Sequence, residues 1–294
     1  MSAPRRASAT VALLALAARI VPAIPPWIGY PLCTVLGALV GPRLPIWPRV
    51  RANLRVIMPE AHEAEREAAA RRVLIHYFKN YFDLFRFHTL TPAARDATLQ
   101  ATGEEHVRAA LAQGRGLLMV APHCGSYTIV FGPAVRRFDT EALLIVEQLA
   151  DPRLHQLMNA VRQMPGMQIE PLGPAAGRKV LQALRRNQIV VLGGDRAIAE
   201  AALTVDLFGR PTPLPSGPAA LALRTGAPLM TAFSQRLPDN RLSAHYYPAF
   251  SLTPSGDHER DLRDATQKIA YSMQAYIRHD PSQWMVGEEV WPNP

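Results

Sequence analysis

The stretch from Gly114 to Gly132, GRGLLMVAPHCGSYTIVFG, constrains the fold more than any other part of the sequence. A Gly-Arg-Gly turn precedes the apolar run LLMVA, Pro122 ends that run, and Gly125 and Ser126 separate it from a second apolar run. This pattern predicts the strand, loop and helix of an α/β sheet. His123 then lies at the carboxyl end of a strand, facing a helix that Ser126 is placed to cap. Open α/β sheets form their sites at this edge, although a loop histidine without a role also fits the sequence.

The same alternation continues along the rest of the chain. Strands are predicted in ALLIVEQL, MQIEPL and IVVLGGD, and an antiparallel pair in PLMTAFSQRL and RLSAHYYPAF. Helices are predicted in DPRLHQLMNAVRQM, GRKVLQALRRN and PAALALRTG, and from Glu259 to His279. The predicted fold class is therefore α/β, with a mostly parallel or mixed central sheet and helices on both faces.

Residues 1–45 are the most apolar part of the chain. Arg19, Pro22, Pro25 and Pro26 interrupt the apolar run, so neither half reaches the roughly 20 residues that span a bilayer. Two short helices that lie in one leaflet fit this pattern, with arginines on either side to meet anionic lipid. A cleaved signal peptide and a buried helical hairpin are the alternatives. We expect an N-terminal membrane-associating segment over 1–45 and one catalytic-type domain over 46–294. The flanking arginines are Arg5, Arg6, Arg43, Arg49, Arg51 and Arg55.

One long helix is predicted from Glu60 to Phe87. Its second half carries aromatic residues at a spacing that aligns them on one face. Such a stripe serves core packing in most proteins, and it can also line a groove for an acyl chain. The aromatic residues are Tyr77, Phe78, Tyr81, Phe82 and Phe85.

Composition excludes several classes of function. The chain is 48% hydrophobic and 19% charged, with a net charge of +8 that comes almost entirely from arginine. Arginine binds phosphate well, but the sequence has no basic-aromatic motif of a nucleic-acid-binding protein. The two cysteines and the scattered histidines have no zinc-site spacing, so no metal and no resident cofactor are expected.

Several blocks together resemble a known family. They are GRGLLMVAPHCGSY, VEQL, the GGDR step, FGRP, LPSGPAALALRTGAPLM and PSQW, and they span nearly the whole chain. The sequence resembles the bacterial lipid A biosynthesis acyltransferases of the lauroyl/myristoyl type and the related phosphatidylinositol mannoside acyltransferases. The resemblance implies a glycerolipid acyltransferase-like fold. It also implies transfer of a fatty acyl chain from coenzyme A or acyl carrier protein, as co-substrate, to a hydroxyl of a membrane glycolipid or phospholipid.

The family pattern at the active site is a histidine followed, after four residues, by Asp or Glu. His123 matches the histidine, and Gly125 and Ser126 match the residues after it, but Thr128 occupies the position of the carboxylate. A neutral histidine can take the proton of an alcohol, and a carboxylate on its other nitrogen fixes the tautomer and stabilises the imidazolium. Thr128 can orient the ring but supplies no charge.

Two carboxylates are candidates for the missing partner. Glu147, at the end of the strand after the His123 unit, is the first choice as catalytic residue, with a solvated strand end as the alternative. Asp195 is the second, with a structural ion pair to an arginine as its alternative. If Asp195 is not the catalytic partner, it is assigned to substrate binding together with Gly125, Ser126 and Arg196. In that role Arg196 holds phosphate or polarises the thioester carbonyl. Cys124 as an acylated nucleophile is disfavoured, because adjacent residues of an extended chain point to opposite faces.

These residues favour a membrane-associated acyltransferase with His123 as general base. The alternative is a lipid-binding relative that has lost activity, which Thr128 favours. The expected location is peripheral or monotopic, on the cytoplasmic face of the bacterial plasma membrane.

Overall fold

The computed structural model describes residues 3–197 and 202–292. Within these ranges the side chains of residues 3–10, 128 and 133–135 are not described. The predicted contacts of Arg5, Arg6 and Thr128 therefore lie outside the described part of the chain.

The helices surround a central sheet. Two of them begin after an aspartate that caps the helix: Asp151 and Asp257 each accept hydrogen bonds from the first amides of the helix that follows. The α-helices are α1 Ala3–Ile20, α2 Pro26–Leu39, α3 Trp47–Ile57, α4 Glu63–Phe87, α5 Pro92–Thr98, α6 Glu104–Leu111, α7 Tyr127–Arg137, α8 Pro152–Arg162, α9 Ala176–Arg185, α10 Gly217–Thr225 and α11 His258–His279.

The strands form one large sheet and one small one. The seven-stranded sheet has the order β1-β9-β8-β2-β5-β3-β4, and β6 pairs with β7 in a separate antiparallel hairpin. Only the β8–β9 pair of the large sheet is antiparallel. The strands are β1 Leu99–Thr102, β2 Leu117–Ala121, β3 Ala142–Val146, β4 Met167–Pro171, β5 Ile189–Gly193, β6 Ala202–Leu207, β7 Arg210–Pro215, β8 Leu229–Arg236 and β9 Leu242–Tyr246.

Helices cover both faces of the sheet, as the sequence predicts. All five residues of β2 are buried. Leu117 and Met119 pack into a core with α4, α6, α7 and α8, whereas Leu118 and Val120 pack into a second core with α9, α10 and α11. Alternate side chains of a strand point to opposite faces, so a strand covered on both sides must be apolar throughout.

The N-terminal segment is helical, as predicted. Side chains of α1 pack against the first core, and α2 packs along α4. Several large apolar side chains of these two helices remain exposed. Between residues 3 and 197, and between 202 and 292, no helix is long and apolar enough to cross a membrane. The exposed side chains are Leu13, Leu16, Ile20, Trp27, Ile28, Leu32, Val35, Leu39 and Val40.

The aromatic stripe of α4 serves two purposes. Phe82 and Phe85 are buried, and Phe82 packs edge-on against Tyr30 of α2. Tyr77 and Tyr81 instead line a large cavity next to the sheet. One part of the stripe therefore packs in the core and another part lines the cavity, whereas its use as a groove for an acyl chain stays a prediction.

The sequence predicts no structure for several elements, of which the β6–β7 hairpin is the largest. Pro211, Pro213 and Pro215 occupy alternate positions of β7, a residue type that normally argues against a strand. They are tolerated because β7 has one partner strand, so the side of the backbone that lacks amides can face away from it.

Candidate active site

A cavity of about 820 Å³ lies at the carboxyl ends of β2, β3 and β5. His123 lines it between two apolar walls, one on each side of the sheet. The first wall comes from α1, α4 and α8, and the second from β3, β5, α9, α10 and the residue after β4. Leu14, Tyr81, Leu84, Leu154 and Met158 contribute to the first wall, and Ile145, Leu172, Val180, Leu192 and Leu221 to the second.

His123 is held by a carboxylate from the neighbouring strand. Its Nδ1 lies 2.6 Å from Oδ1 of Asp195, and its backbone amide donates to Oδ2 of the same residue at 2.7 Å. β2 and β5 run side by side in parallel, so the residues after each strand meet at one edge. Tyr127 packs edge-on against the imidazole, with 4.6 Å between ring centroids.

The Asp195 carboxyl is fully buried, yet its surroundings favour the ionised form. Burial raises its pKa, but electrostatic attraction to the adjoining imidazole and hydrogen bonds from the His123 ring, the His123 amide and the Trp284 indole hold the pKa below the usual range. An ionised carboxylate accepts the proton of Nδ1, so Nε2 is the nitrogen that carries the lone pair when the ring is neutral. This is the arrangement that a general base requires.

Glu147 does not contact the imidazole through any hydrogen bond that the structure records. Its Oε2 instead lies 3.3 Å from Nη1 of Arg196, and Arg196 also pairs with Glu288. All three side chains line the cavity. The carboxylate on the ring is thus Asp195, the second of the two sequence candidates, and Glu147 belongs to an ion-pair network about the same opening.

Gly125 and Ser126 form the turn between β2 and α7. Gly125 has φ +54°, and a Cβ there would lie 2.4 Å from the carbonyl oxygen of Ser234, so only glycine fits. Ser126 immediately precedes α7, where the sequence predicted a helix cap. Its hydroxyl donates to Asn80 at 2.5 Å and accepts from Arg236 at 2.8 Å.

A buried cluster of polar side chains is hydrogen-bonded to this turn. Arg236, 3% exposed, forms an ion pair with Asp83 and donates to Oδ1 of Asn80 at 2.7 Å. The amide of Asn80 in turn donates to the carbonyl oxygen of Gly125 at 2.6 Å. Tyr30 donates to Asp83 at 2.8 Å. The cluster connects α2, α4 and β8 to the loop that carries His123.

The segment Gln283–Met285 runs antiparallel to the loop after β2. Gly125 donates its amide to the carbonyl of Gln283 at 3.1 Å, and Met285 donates its amide to the carbonyl of His123 at 2.8 Å. The indole of Trp284 reaches Asp195 from this position.

Cys124 is not placed for nucleophilic attack. The thiol is buried in the second core, which also contains Phe233 and Met273, and burial raises its pKa well above the usual range. A protonated, enclosed thiol is inert. No group of three or more His, Cys, Asp or Glu side chains in the described ranges could hold a metal ion.

Asn80, Arg236, Trp284 and Glu288 were missed by sequence reasoning. Each lies far along the chain from His123, and none stands in a local pattern that carries chemistry. PSQW was noted only as part of the resemblance, and the sequence offered no reason to pair Trp284 with Asp195.

The structure thus combines an α/β fold with a histidine–carboxylate pair that opens on a largely apolar cavity. The chain belongs to the bacterial lipid A biosynthesis acyltransferase family, whose model matches residues 2–291. A phosphatidylinositol mannoside acyltransferase of Mycobacterium tuberculosis is 29% identical over 248 residues, which cover 83% of this chain and 76% of the relative. One from Mycolicibacterium smegmatis is 26% identical over 246 residues, 83% of this chain and 79% of the relative.

Proposed function

We propose that this acyltransferase moves a fatty acyl chain from an acyl thioester, on coenzyme A or acyl carrier protein, to a hydroxyl of a membrane glycolipid or phospholipid. The observation that carries the proposal is the His123–Asp195 pair at the edge of the cavity. A thioester is already activated, so the alcohol is the reactant that needs a base.

The imidazole takes the alcohol proton on Nε2 while the alcohol oxygen attacks the thioester carbonyl carbon. The resulting imidazolium is stabilised by the ionised Asp195 carboxylate, whose hydrogen bond to Nδ1 also keeps the ring oriented. As the carbon–sulfur bond breaks, the imidazolium returns its proton to the leaving thiolate. The products are an ester and a free thiol, and the dyad regains its starting state.

The apolar walls of the cavity supply a place for hydrocarbon. A fatty chain buried there exchanges contact with water for contact with leucine, tyrosine and methionine side chains, which favours binding by about 0.8 kcal/mol per buried methylene. Arg196, between Glu147 and Glu288, is a candidate to meet the phosphate or carbonyl end of a substrate.

The exposed apolar residues of α1 and α2 support attachment to a membrane surface. Ile28, Leu32, Val35 and Leu39 recur at helical spacing on one side of α2, and Trp27 is 76% exposed beside them. Arg19 and Arg43 at the helix ends are placed to meet anionic lipid. We place the protein peripherally or monotopically on the cytoplasmic face of a bacterial plasma membrane.

The decisive experiment compares wild type with His123→Ala in vesicles. The donor is palmitoyl-coenzyme A or palmitoyl carrier protein, and the acceptor is a phosphatidylinositol mannoside, a lipid A precursor or a lysophospholipid. We expect transfer to one acceptor class, and its loss in His123→Ala with the melting temperature retained. A folded His123→Ala variant with wild-type transfer would exclude His123 as the base.

The second candidate, a lipid-binding relative without activity, rests on Thr128. Asp195 weighs against it, because the imidazole already has a carboxylate partner. The variant Thr128→Asp distinguishes the two candidate functions. A large gain in transfer supports a relative that has lost activity, and no gain supports Asp195 as the carboxylate partner that replaces residue 128.

A further inference from the structure

Trp284, from the segment that pairs with the His123 loop, contacts the carboxylate of the dyad. Its indole Nε1 donates to Oδ2 of Asp195 at 2.8 Å, and the side chain is 3% exposed. Asp195 Oδ2 also accepts the backbone amide of His123, and Oδ1 meets the imidazole. The carboxylate is thus held by donors from two separate segments of the chain.

The segment that carries Trp284 is itself fixed. Trp284 pairs with Cys124 in an isolated antiparallel bridge. The side chain of Gln283 accepts from the Arg236 amide at 2.6 Å and donates to the Arg236 carbonyl at 3.0 Å. These contacts give the indole one position relative to the carboxylate, as a positioning role requires.

We propose that Trp284 is a positioning residue of the proposed transfer, whose indole N–H orients the Asp195 carboxylate so that the imidazole of His123 presents Nε2 to the alcohol. This inference rests on the proposed function. Trp284 touches no reacting atom and acts through Asp195.

The indole also sets the pH at which the dyad takes up a proton. A neutral donor stabilises the negative carboxylate more than it stabilises the protonated dyad, whose net charge is zero. Removing the donor therefore raises the apparent pKa of the dyad and moves the acid limb of the rate profile to higher pH. Tyr127 packs against the imidazole, and Arg196 lies near the carboxylate, where Glu147 and Glu288 act through it. The other titratable groups next to the dyad or the adjoining thiol are Tyr77, Cys124, Tyr276 and Asp280.

Trp291 offers a matched control. It is also buried, its indole donates to Oγ1 of Thr212 at 2.8 Å, and its ring packs 6.1 Å from that of Trp284. Trp284→Phe and Trp291→Phe each remove a buried indole hydrogen bond from the same core. Only the first removes one from Asp195.

The experiment measures kcat and KM against pH for wild type, Trp284→Phe and Trp291→Phe. For Trp284→Phe we expect the midpoint of the acid limb of kcat/KM to move to higher pH by about one unit. We also expect kcat to fall about tenfold, with KM nearly unchanged. For Trp291→Phe we expect the wild-type profile. A folded Trp284→Phe variant whose profile matches that of Trp291→Phe overturns the proposal.

A second variant keeps the test valid if Trp284→Phe does not fold. Benzothienylalanine at position 284 retains the bicyclic shape and replaces the N–H with sulfur. The reaction of His123 with diethyl pyrocarbonate, followed by mass spectrometry of its peptide, reports titration of the ring without any activity. A raised midpoint in this variant supports the role of the indole, and an unchanged midpoint rejects it. Absence of transfer in the wild type would instead count against the proposed function.

Discussion

His123 depends for its orientation on a carboxylate 72 residues further along the chain. The family pattern looks for that carboxylate five residues after the histidine, where this chain has Thr128. β2 and β5 are adjacent parallel strands, so the residues that follow them lie at the same edge of the sheet. Asp195 after β5 therefore reaches His123 after β2, although the two are far apart in the sequence. A sequence pattern with fixed spacing cannot detect such a partner.

Asp195→Asn tests which acidic residue serves the imidazole. Asparagine keeps the size of the side chain but loses the charge that stabilises the imidazolium, so we expect kcat to fall by about 10³–10⁴. Glu147→Gln is the control, since Glu147 contacts Arg196, and we expect a loss of less than about tenfold. The measurement is kcat for acyl transfer at neutral pH. Equal losses of kcat in both variants would mean that Glu147 takes part in the mechanism.

The same carboxylate contributes to stability in a defined pH range. The pKa of Asp195 is lowered in the folded protein, so the unfolded chain binds the proton more readily in acid. Its contribution is complete above the unfolded-state pKa of about 3.9 and is lost as pH falls through the lower folded value. Urea unfolding of wild type and Asp195→Asn between about pH 5 and pH 3 should give a free-energy difference that shrinks as the pH falls. A difference that grows in acid would contradict this sign.

Gly125 is required for steric reasons. Gly125→Ala places a Cβ 2.4 Å from the carbonyl oxygen of Ser234, whereas Gly114→Ala, at a similarly positive φ, meets nothing within 4 Å. We expect Gly125→Ala to lower the free energy of unfolding by about 3 kcal/mol or more, and Gly114→Ala by only about 1 kcal/mol. Urea unfolding at neutral pH provides the comparison. Equal losses of unfolding free energy in the two variants would mean that strain from the positive φ, and not the contact with Ser234, causes the destabilisation.

At the scale of elements, the sequence identified those with strong periodicity or clear ends. β2, β3, β5, α8 and α11 were predicted within a few residues, because apolar runs and caps such as Asp151 are local signals. The β6–β7 hairpin was missed because its alternating prolines suit only a strand with a single partner, which is a property of the assembled sheet.

The sequence also does not predict the buried polar cluster around Arg236, because the members of this cluster come from separate elements. Asp83→Leu leaves the charge of Arg236 buried without its partner, and we expect a loss of about 3–5 kcal/mol in the free energy of unfolding. Asp83→Leu combined with Arg236→Met removes both charges and should recover much of that loss. Urea unfolding of the single and double variants tests the pair. A double variant no more stable than Asp83→Leu would show that the hydrogen bonds to Asn80 and Ser126 dominate.

At the scale of the whole molecule, the exposed apolar surface is concentrated on α1 and α2. The triple variant Trp27→Ser, Leu32→Ser, Leu39→Ser removes large exposed side chains from this surface without opening the core. We expect it to reduce cosedimentation with anionic vesicles at least tenfold, because each side chain buried in lipid contributes about 1.5–3 kcal/mol.

Tyr271→Ser provides the control for this surface. Tyr271 is 52% exposed on α11, away from the N-terminal helices, and we expect its variant to bind vesicles as the wild type does. Equal retention of the triple variant and Tyr271→Ser on vesicles would place the lipid contact elsewhere on the molecule.

The late position of Trp284 in the chain has a consequence for biosynthesis. A ribosome that has reached residue 200 has already made α1, α2, His123 and Asp195, but the indole that reaches the carboxylate does not yet exist. A nascent chain thus contains α1, α2 and both residues of the dyad before it contains the indole that contacts the carboxylate. Translation order alone therefore puts synthesis of the proposed membrane-binding helices before synthesis of the residue that we propose to position Asp195.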